Sequence, residues 1–179
     1  MLDDEKLIKK YIDWDKKSLE KLLGKHLQGI FNMCYRYSLN EDDSNDITQE
    51  VCIKIVKNLS KFKFKSSFKT WVYRITYNET INYLKKNKQN LSFEEESYKI
   101  ESINTPEKEL EKKEIYKIIT KEINKLDETS RNIILMYYYD DLKIKEISQI
   151  IWINENTIKT KLKRAKQFLK PKIEKLWEK

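Results

Sequence analysis

Residues 61–78 read KFKFKSSFKTWVYRITYN, where aromatic rings are interleaved with five cationic side chains and no acid. Cations at this density attract a polyanion. A second candidate lies near the C-terminus, where Lys159, Thr160, Lys163 and Arg164 fall outside the apolar stripe of a helix. Such side chains reach phosphate oxygens and base edges. Arg164 can grip a guanine through two hydrogen bonds, while the lysines mostly hold register. A third is the carboxylate pair Asp46 and Glu50, one helical turn apart. A metal-dependent nuclease would use such a pair, but the spacing is common on solvated helices and no lysine or histidine constellation completes the site.

The formal charge of +8 is unevenly spread: residues 61–90 sum to +7, 91–112 to −4 and 143–179 to +7. Two basic blocks parted by acid suit two contacts on one polyanion, for which nucleic acid is the natural candidate. Lysines that merely solvate helix faces are the alternative. The only glycines, Gly24 and Gly29, stand inside a helical stretch, so there is no glycine-rich phosphate loop and nucleotide-binding folds are disfavoured. Cys34 and Cys52 form no CxxC pair and read as buried free thiols, and His26 reads as an ordinary helix position. No metal or other cofactor is expected. The start MLDDEKLIKK lacks the basic and then apolar pattern of a secretory signal, and no apolar run approaches the roughly 18 residues of a membrane span. A cytoplasmic protein without membrane insertion is the expectation.

Sparse breakers and long helical periodicity predict an all-α protein of two small helical domains joined by a flexible linker. The expected boundaries are 1–86, a linker at 87–105, and 106–179. Apolar spacing predicts helices over 4–12, 15–38, 45–60 and 67–86, with Ser66 or Ser67 capping the last. Thr105 and Pro106 are a cap and first-turn pair for a helix at 107–125, and Asp127 caps another at 128–140. Then come a short helix at 143–150, a turn, and a longer helix opened by Asn154 with Ile158, Leu162, Ala165 and Leu169 inward, the rhythm of a helix-turn-helix. Trp152 stands where a left-handed glycine is usual, at a cost of about 1–2 kcal/mol. Either the turn differs or the indole gains burial.

DDSNDITQEVCIKIVKNLSKFKFKSSFKTWVYRITYNETINYLKK resembles region two of bacterial RNA polymerase sigma factors of the extracytoplasmic-function type. LDETSRNIILMYYYDDLKIKEISQIIWINENTIKTKLKRAK is similar to their region four, and TPEKELEKKE to the entry into it. The resemblance implies a dissociable promoter-specificity subunit that catalyses nothing. It would bind core RNA polymerase, span the minus-35 and minus-10 elements of promoter DNA, and help to open the latter. Opening requires unstacked bases to be held, and ring faces stack on them for roughly 1–3 kcal/mol per base. The loop from Phe62 to Phe68 would cradle an extruded minus-10 base, with Lys63, Phe64, Lys65, Ser66 and Lys69 as contacts and Arg74 and Asn78 on the following helix. Phe68, Val72, Ile75 and Trp71 read as core. Lys159, Thr160, Lys163 and Arg164 would contact the minus-35 element. Asp46, Gln49 and Glu50 match positions that dock on a coiled coil of the largest polymerase subunit. An anti-sigma partner fits the family, although no residue identifies one. A stand-alone helix-turn-helix regulator is the competing reading, but it leaves the aromatic block without a role. Only four of the 37 basic residues are arginine, so readout of guanine is sparse.

Overall fold

Caps and apolar stripes account for the helices of the first unit. The computed structural model describes residues 3–12, 15–88 and 118–177. Helix α1 (Asp3–Ile12) buries Leu7 and Ile8. Asp15 then caps α2 (Lys16–Ser38), accepting from the Lys17 N–H at 3.1 Å and the Ser18 hydroxyl at 2.7 Å. Helix α3 (Glu41–Asn58) begins four residues ahead of the expected start at 45. Asn40 explains this: its side chain accepts from the Asp43 N–H at 3.0 Å, and Glu41, Asp42 and Asp43 fill a first turn where negative charge suits the helix dipole. A 3-10 turn (Leu59–Lys61) and a loop lead into α4 (Phe68–Lys88).

Helix α2 packs on α1, α3 and α4, and α3 packs on α4. Ile8, Leu22, Ile30, Met33, Ile47, Val51, Ile55, Leu59 and Val72 fill the space between them. Thr76 and Thr80 are also buried on α4, and their hydroxyls donate to the carbonyls of Val72 and Thr76 at 3.0 and 2.8 Å. Of the two free cysteines, Cys34 is buried and Cys52 half-buried, so the expectation for Cys52 holds only in part.

The two glycines of α2 have opposite roles. A Cβ on Gly24 would meet nothing within 4 Å, whereas one on Gly29 would lie 2.7 Å from the hydroxyl oxygen of the buried Tyr73. Gly24→Ala is therefore expected to stabilise the protein by about 0.5–1 kcal/mol through helix propensity alone. Gly29→Ala forces a rigid buried ring to move and is expected to destabilise by about 1–3 kcal/mol. Urea unfolding of the two variants, measured side by side, checks the contrast in sign.

The chain divides into two compact units. Contributing to the second are α5 (118–124), α6 (Glu128–Tyr138), α7 (Ile144–Ile151) and α8 (Glu155–Trp177). Residues 89–117, with nearly all of the expected linker and the Thr105–Pro106 helix start, lie outside the described residues. All described regular structure is helical, as the periodicity requires. Arg131 closes the α5–α6 turn by donating to the carbonyls of Asn124 and Leu126 at 3.0 and 3.3 Å.

Asp127 caps α6, accepting from the Ser130 N–H at 3.0 Å, and pairs with Lys161 of α8 at 3.0 Å. Hydrogen bonds from Ser130, and then Lys161, lower its carboxyl pKa from 3.8 to about 2. A depressed folded-state value stabilises the fold where the group is ionised. The contribution is fully present above about pH 4 and is lost as pH falls through 2. Asp127→Ala is expected to cost about 1 kcal/mol near neutrality. The gap to wild type should close as pH drops from 4 towards 2, and Asp127→Asn, which still caps, should retain most of the stability. Thermal unfolding across that pH range is the check.

Candidate nucleic-acid interface

The basic aromatic stretch separates into layers. Ser67 caps α4, its hydroxyl accepting from the Thr70 N–H at 3.0 Å, which ends the loop and starts the helix. Phe62 and Phe68 are buried, and Trp71 is half-buried against both, with ring centroids 5.2 and 5.6 Å away. Phe62 and Phe68 meet edge to face at 5.7 Å. Above this base lies Phe64, 41% exposed, its centroid 4.8 Å from that of Phe62. Its φ of 55° is left-handed, a conformation costing a bulky residue about 1–2 kcal/mol. The backbone thus turns one phenylalanine of the KFKFK run inward and presents the next to solvent between the exposed Lys63 and Lys65.

The remaining expected contacts are less uniform. Ser66 is half-buried and donates to the Ser67 carbonyl at 3.3 Å, and Lys69 is half-buried with its ammonium 5.5 Å from the centre of the Tyr73 ring. Arg74 is half-buried on α4. Asn78 is exposed and lines a cleft of about 320 Å³ with Asn58, Lys61, Trp71 and the ion-paired Lys54 and Glu79. Sequence reasoning missed Asn58, Lys54 and Glu79. They reach the cleft through the packing of α3 on α4, and no spacing along the chain signals it.

On α3 the acids differ in their surroundings. Asp43 accepts a hydrogen bond from the Tyr83 hydroxyl at 2.6 Å, an interaction that raises the phenol pKa and ties the start of α3 to α4. Asp46, Gln49 and Glu50 are exposed. Among the described residues no group of three His, Cys, Asp or Glu side chains is placed to hold a metal ion.

In the second unit α7 and α8 form the expected helix-turn-helix. Glu146 accepts from the Lys143 N–H at 2.9 Å at the start of α7, and Asn154 opens α8 by accepting from the Asn156 N–H at 2.8 Å. Ile158, Leu162, Ala165 and Leu169 are buried, while Lys159, Thr160, Lys163 and Arg164 are exposed. The Thr160 hydroxyl donates to the Asn156 carbonyl at 2.9 Å, which leaves its oxygen an acceptor. Other lysines of α8 serve the fold. Lys161 pairs with Asp127, Lys166 sits over the Tyr137 ring at 5.1 Å, and Lys172 pairs with Glu122 at 2.5 Å. Arg164 is the exposed one of the four arginines, since Arg36, Arg74 and Arg131 are half-buried.

Trp152 takes the left-handed conformation expected of the turn, with φ 57° and ψ 38°. Burial does not compensate: the residue is 75% exposed.

Two family models match the chain: Sigma-70 region 2 over residues 22–90, and Sigma-70, region 4 over residues 116–169. Together they span about two-thirds of it. The ECF RNA polymerase sigma factor SigW of Bacillus subtilis (strain 168) is 28% identical over 179 residues, covering 94% of this chain and 96% of the relative. The ECF RNA polymerase sigma-E factor of Haemophilus influenzae is 27% identical over 185 residues, covering 98% and 97%. The fold is similar to that of the sigma factor RpoE solved in complex with the anti-sigma factor NepR from Bartonella quintana, with a TM-score of 0.71 at 19% identity, covering 90% of this chain and 98% of that one. It is also similar to CnrH in complex with the cytosolic domain of CnrY, with a TM-score of 0.68 at 16% identity over 96% and 97%. No described helix is long and apolar enough to cross a membrane. With both sigma regions present in order along one helical chain, the protein belongs to the sigma-70 family, as an ECF-type sigma factor that binds RNA polymerase and recognises promoters.

Proposed function

We propose that the two units divide the promoter between them. Residues 1–86 bind core polymerase and the minus-10 element, 87–105 link, and 106–179 bind the minus-35 element. Lys63, Phe64, Lys65, Ser66 and Lys69, with Arg74 and Asn78 behind them, hold an extruded base of the opened strand. Lys159, Thr160, Lys163 and Arg164 enter the minus-35 major groove. Asp46, Gln49 and Glu50 dock on the coiled coil of the largest polymerase subunit. The protein works in the cytoplasm and catalyses no reaction of its own. An anti-sigma factor holds it inactive, a partner supported by the complexes in which its structural neighbours were solved.

The observation that carries this reading is Phe64, a solvent-facing ring held in a strained backbone conformation over a packed aromatic base and flanked by lysines. Strain of this kind persists where the surroundings over-determine it, and it clusters at sites that act. The neighbouring cleft offers the amides of Asn58 and Asn78 beside the Trp71 ring, the means to hold and inspect a base taken out of its stack.

Co-elution with cognate core polymerase stripped of its own sigma subunit, followed by transcription from a fragment library of the source genome, tests the proposal. Stable binding and new start sites are expected. Failure to bind core, together with tight operator binding by the chain alone, would make it a stand-alone regulator instead.

A further inference from the structure

The single histidine, an ordinary helix position by its sequence neighbours, joins three elements. His26 lies on α2 with its side chain 12% exposed and its Nε2 2.9 Å from Oδ2 of Asp4 on α1. Lys25 secures the same carboxyl group, donating to Asp4 Oδ1 at 2.6 Å and to Asp3 Oδ2 at 3.1 Å. The imidazole also meets the ring of Phe68, the first residue of α4, edge to face with centroids 5.2 Å apart and planes at 72°. Phe68 touches Phe62, and Phe62 touches Phe64. Ring contacts therefore run without a break from the α1 carboxylate to the solvent-facing ring of the loop.

An edge-to-face contact favours a defined ring plane, and a largely buried imidazole nitrogen needs a partner. Asp4 supplies both the partner and the orientation. Without it the imidazole is free to turn towards water, and its contact with Phe68 loosens. We propose that His26 is a positioning residue for the 62–68 loop: oriented by Asp4, it fixes Phe68 and, through Phe62, the pose of Phe64. Seating α1 on α2 is then part of readying the loop for single-stranded DNA. The inference rests on the reading of that loop as the strand-holding element.

Two measurements on the full-length chain separate the inference from that reading. Fluorine NMR of chains labelled with 5-fluorotryptophan, with the Trp71 signal assigned by Trp71→Phe, reports the aromatic base without DNA. Cognate polymerase carrying each variant is then titrated with a single-stranded non-template minus-10 oligonucleotide and with a duplex holding only the minus-35 element, both taken from the recovered promoters. Asp4→Ala and His26→Gln are expected to shift the Trp71 signal and to weaken single-strand binding about three- to ten-fold, with duplex binding unchanged. Asp4→Asn, whose side-chain oxygen still accepts from the imidazole, should restore both readouts. An unmoved Trp71 signal overturns the proposal, as does a loss shared equally by both DNAs and tracking the unfolding midpoint. Phe64→Ala is the control. If it leaves single-strand affinity intact, the strand-holding reading falls, while the Trp71 signal still decides whether His26 positions the cluster.

Discussion

Polymerase carrying Phe64→Ala with Lys65→Ala is expected to find its promoters and fail to open them. The ring offers a stacking face worth roughly 1–3 kcal/mol per base, and the lysine offers charge to the displaced backbone. Together they put the loss of open complex at about 10- to 100-fold or more. Neither residue lies in the second unit, so closed-complex formation on the minus-35 side should stay near wild type. Permanganate reactivity of unpaired thymines reports opening, and a duplex mobility shift reports binding. Unchanged reactivity would remove the loop from the mechanism. Phe64→Gly adds a sharper form of the test. Glycine relieves the left-handed strain at φ 55° and so offsets part of what is lost with the ring's packing on Phe62, which should leave this variant about 1 kcal/mol more stable than Phe64→Ala. It should nevertheless open promoters as poorly as Phe64→Ala alone. Relief of backbone strain without recovery of function is what a strained working residue produces.

Charge reversal at Glu50 is expected to act at the earlier step of polymerase binding. Glu50 is exposed on α3, on the side that also carries Asp46 and Gln49, and it borders a small cleft lined by Ile47, Asn82, Tyr83 and Lys86. Substitution of an exposed residue of this kind changes stability by no more than about 0.5 kcal/mol. Like-charge juxtaposition at an interface costs several kcal/mol. Glu50→Lys should therefore weaken association with core polymerase at least about ten-fold with an unchanged unfolding midpoint. Competition against wild type for a limiting amount of core, followed by gel filtration, measures it. Normal competition by the variant would mean that Glu50 belongs only to a solvated face of α3.

Much of this was legible in the sequence because it depends on period. The Ile158, Leu162, Ala165 and Leu169 stripe announces which side of α8 is buried, and the same count leaves Lys159, Lys163 and Arg164 outside. The left-handed turn at Trp152 follows from the spacing of the two helices. Its exposed indole does not follow, because the sequence offers no measure of what surrounds a turn. Period also fails in KFKFK, where Phe62 and Phe64 are equivalent by alternation. Only the backbone sign at Phe64 separates the buried ring from the exposed one. Helix α3 starts ahead of the expected residue because an acidic run resembles a turn until Asn40 is seen to cap it. Asn58, Glu79 and the interhelical role of His26 are not legible in the sequence for a common reason: each gains its role from a partner on another helix.

The arginine distribution has a consequence for how such a protein chooses among promoters. With Arg164 the exposed member of four, the cationic surface is essentially lysine, a point charge that meets phosphate without reading the base beside it. Affinity built this way comes from releasing counterions. With about six phosphate contacts it falls roughly a thousand-fold between 50 and 200 mM salt. Ionic strength then rescales every promoter together and leaves their ranking untouched. Base reading by the second unit would then rest on Arg164 and Thr160, and the rest of the discrimination on how the first unit holds the opened strand, which makes promoter choice a matter of melting as much as of docking.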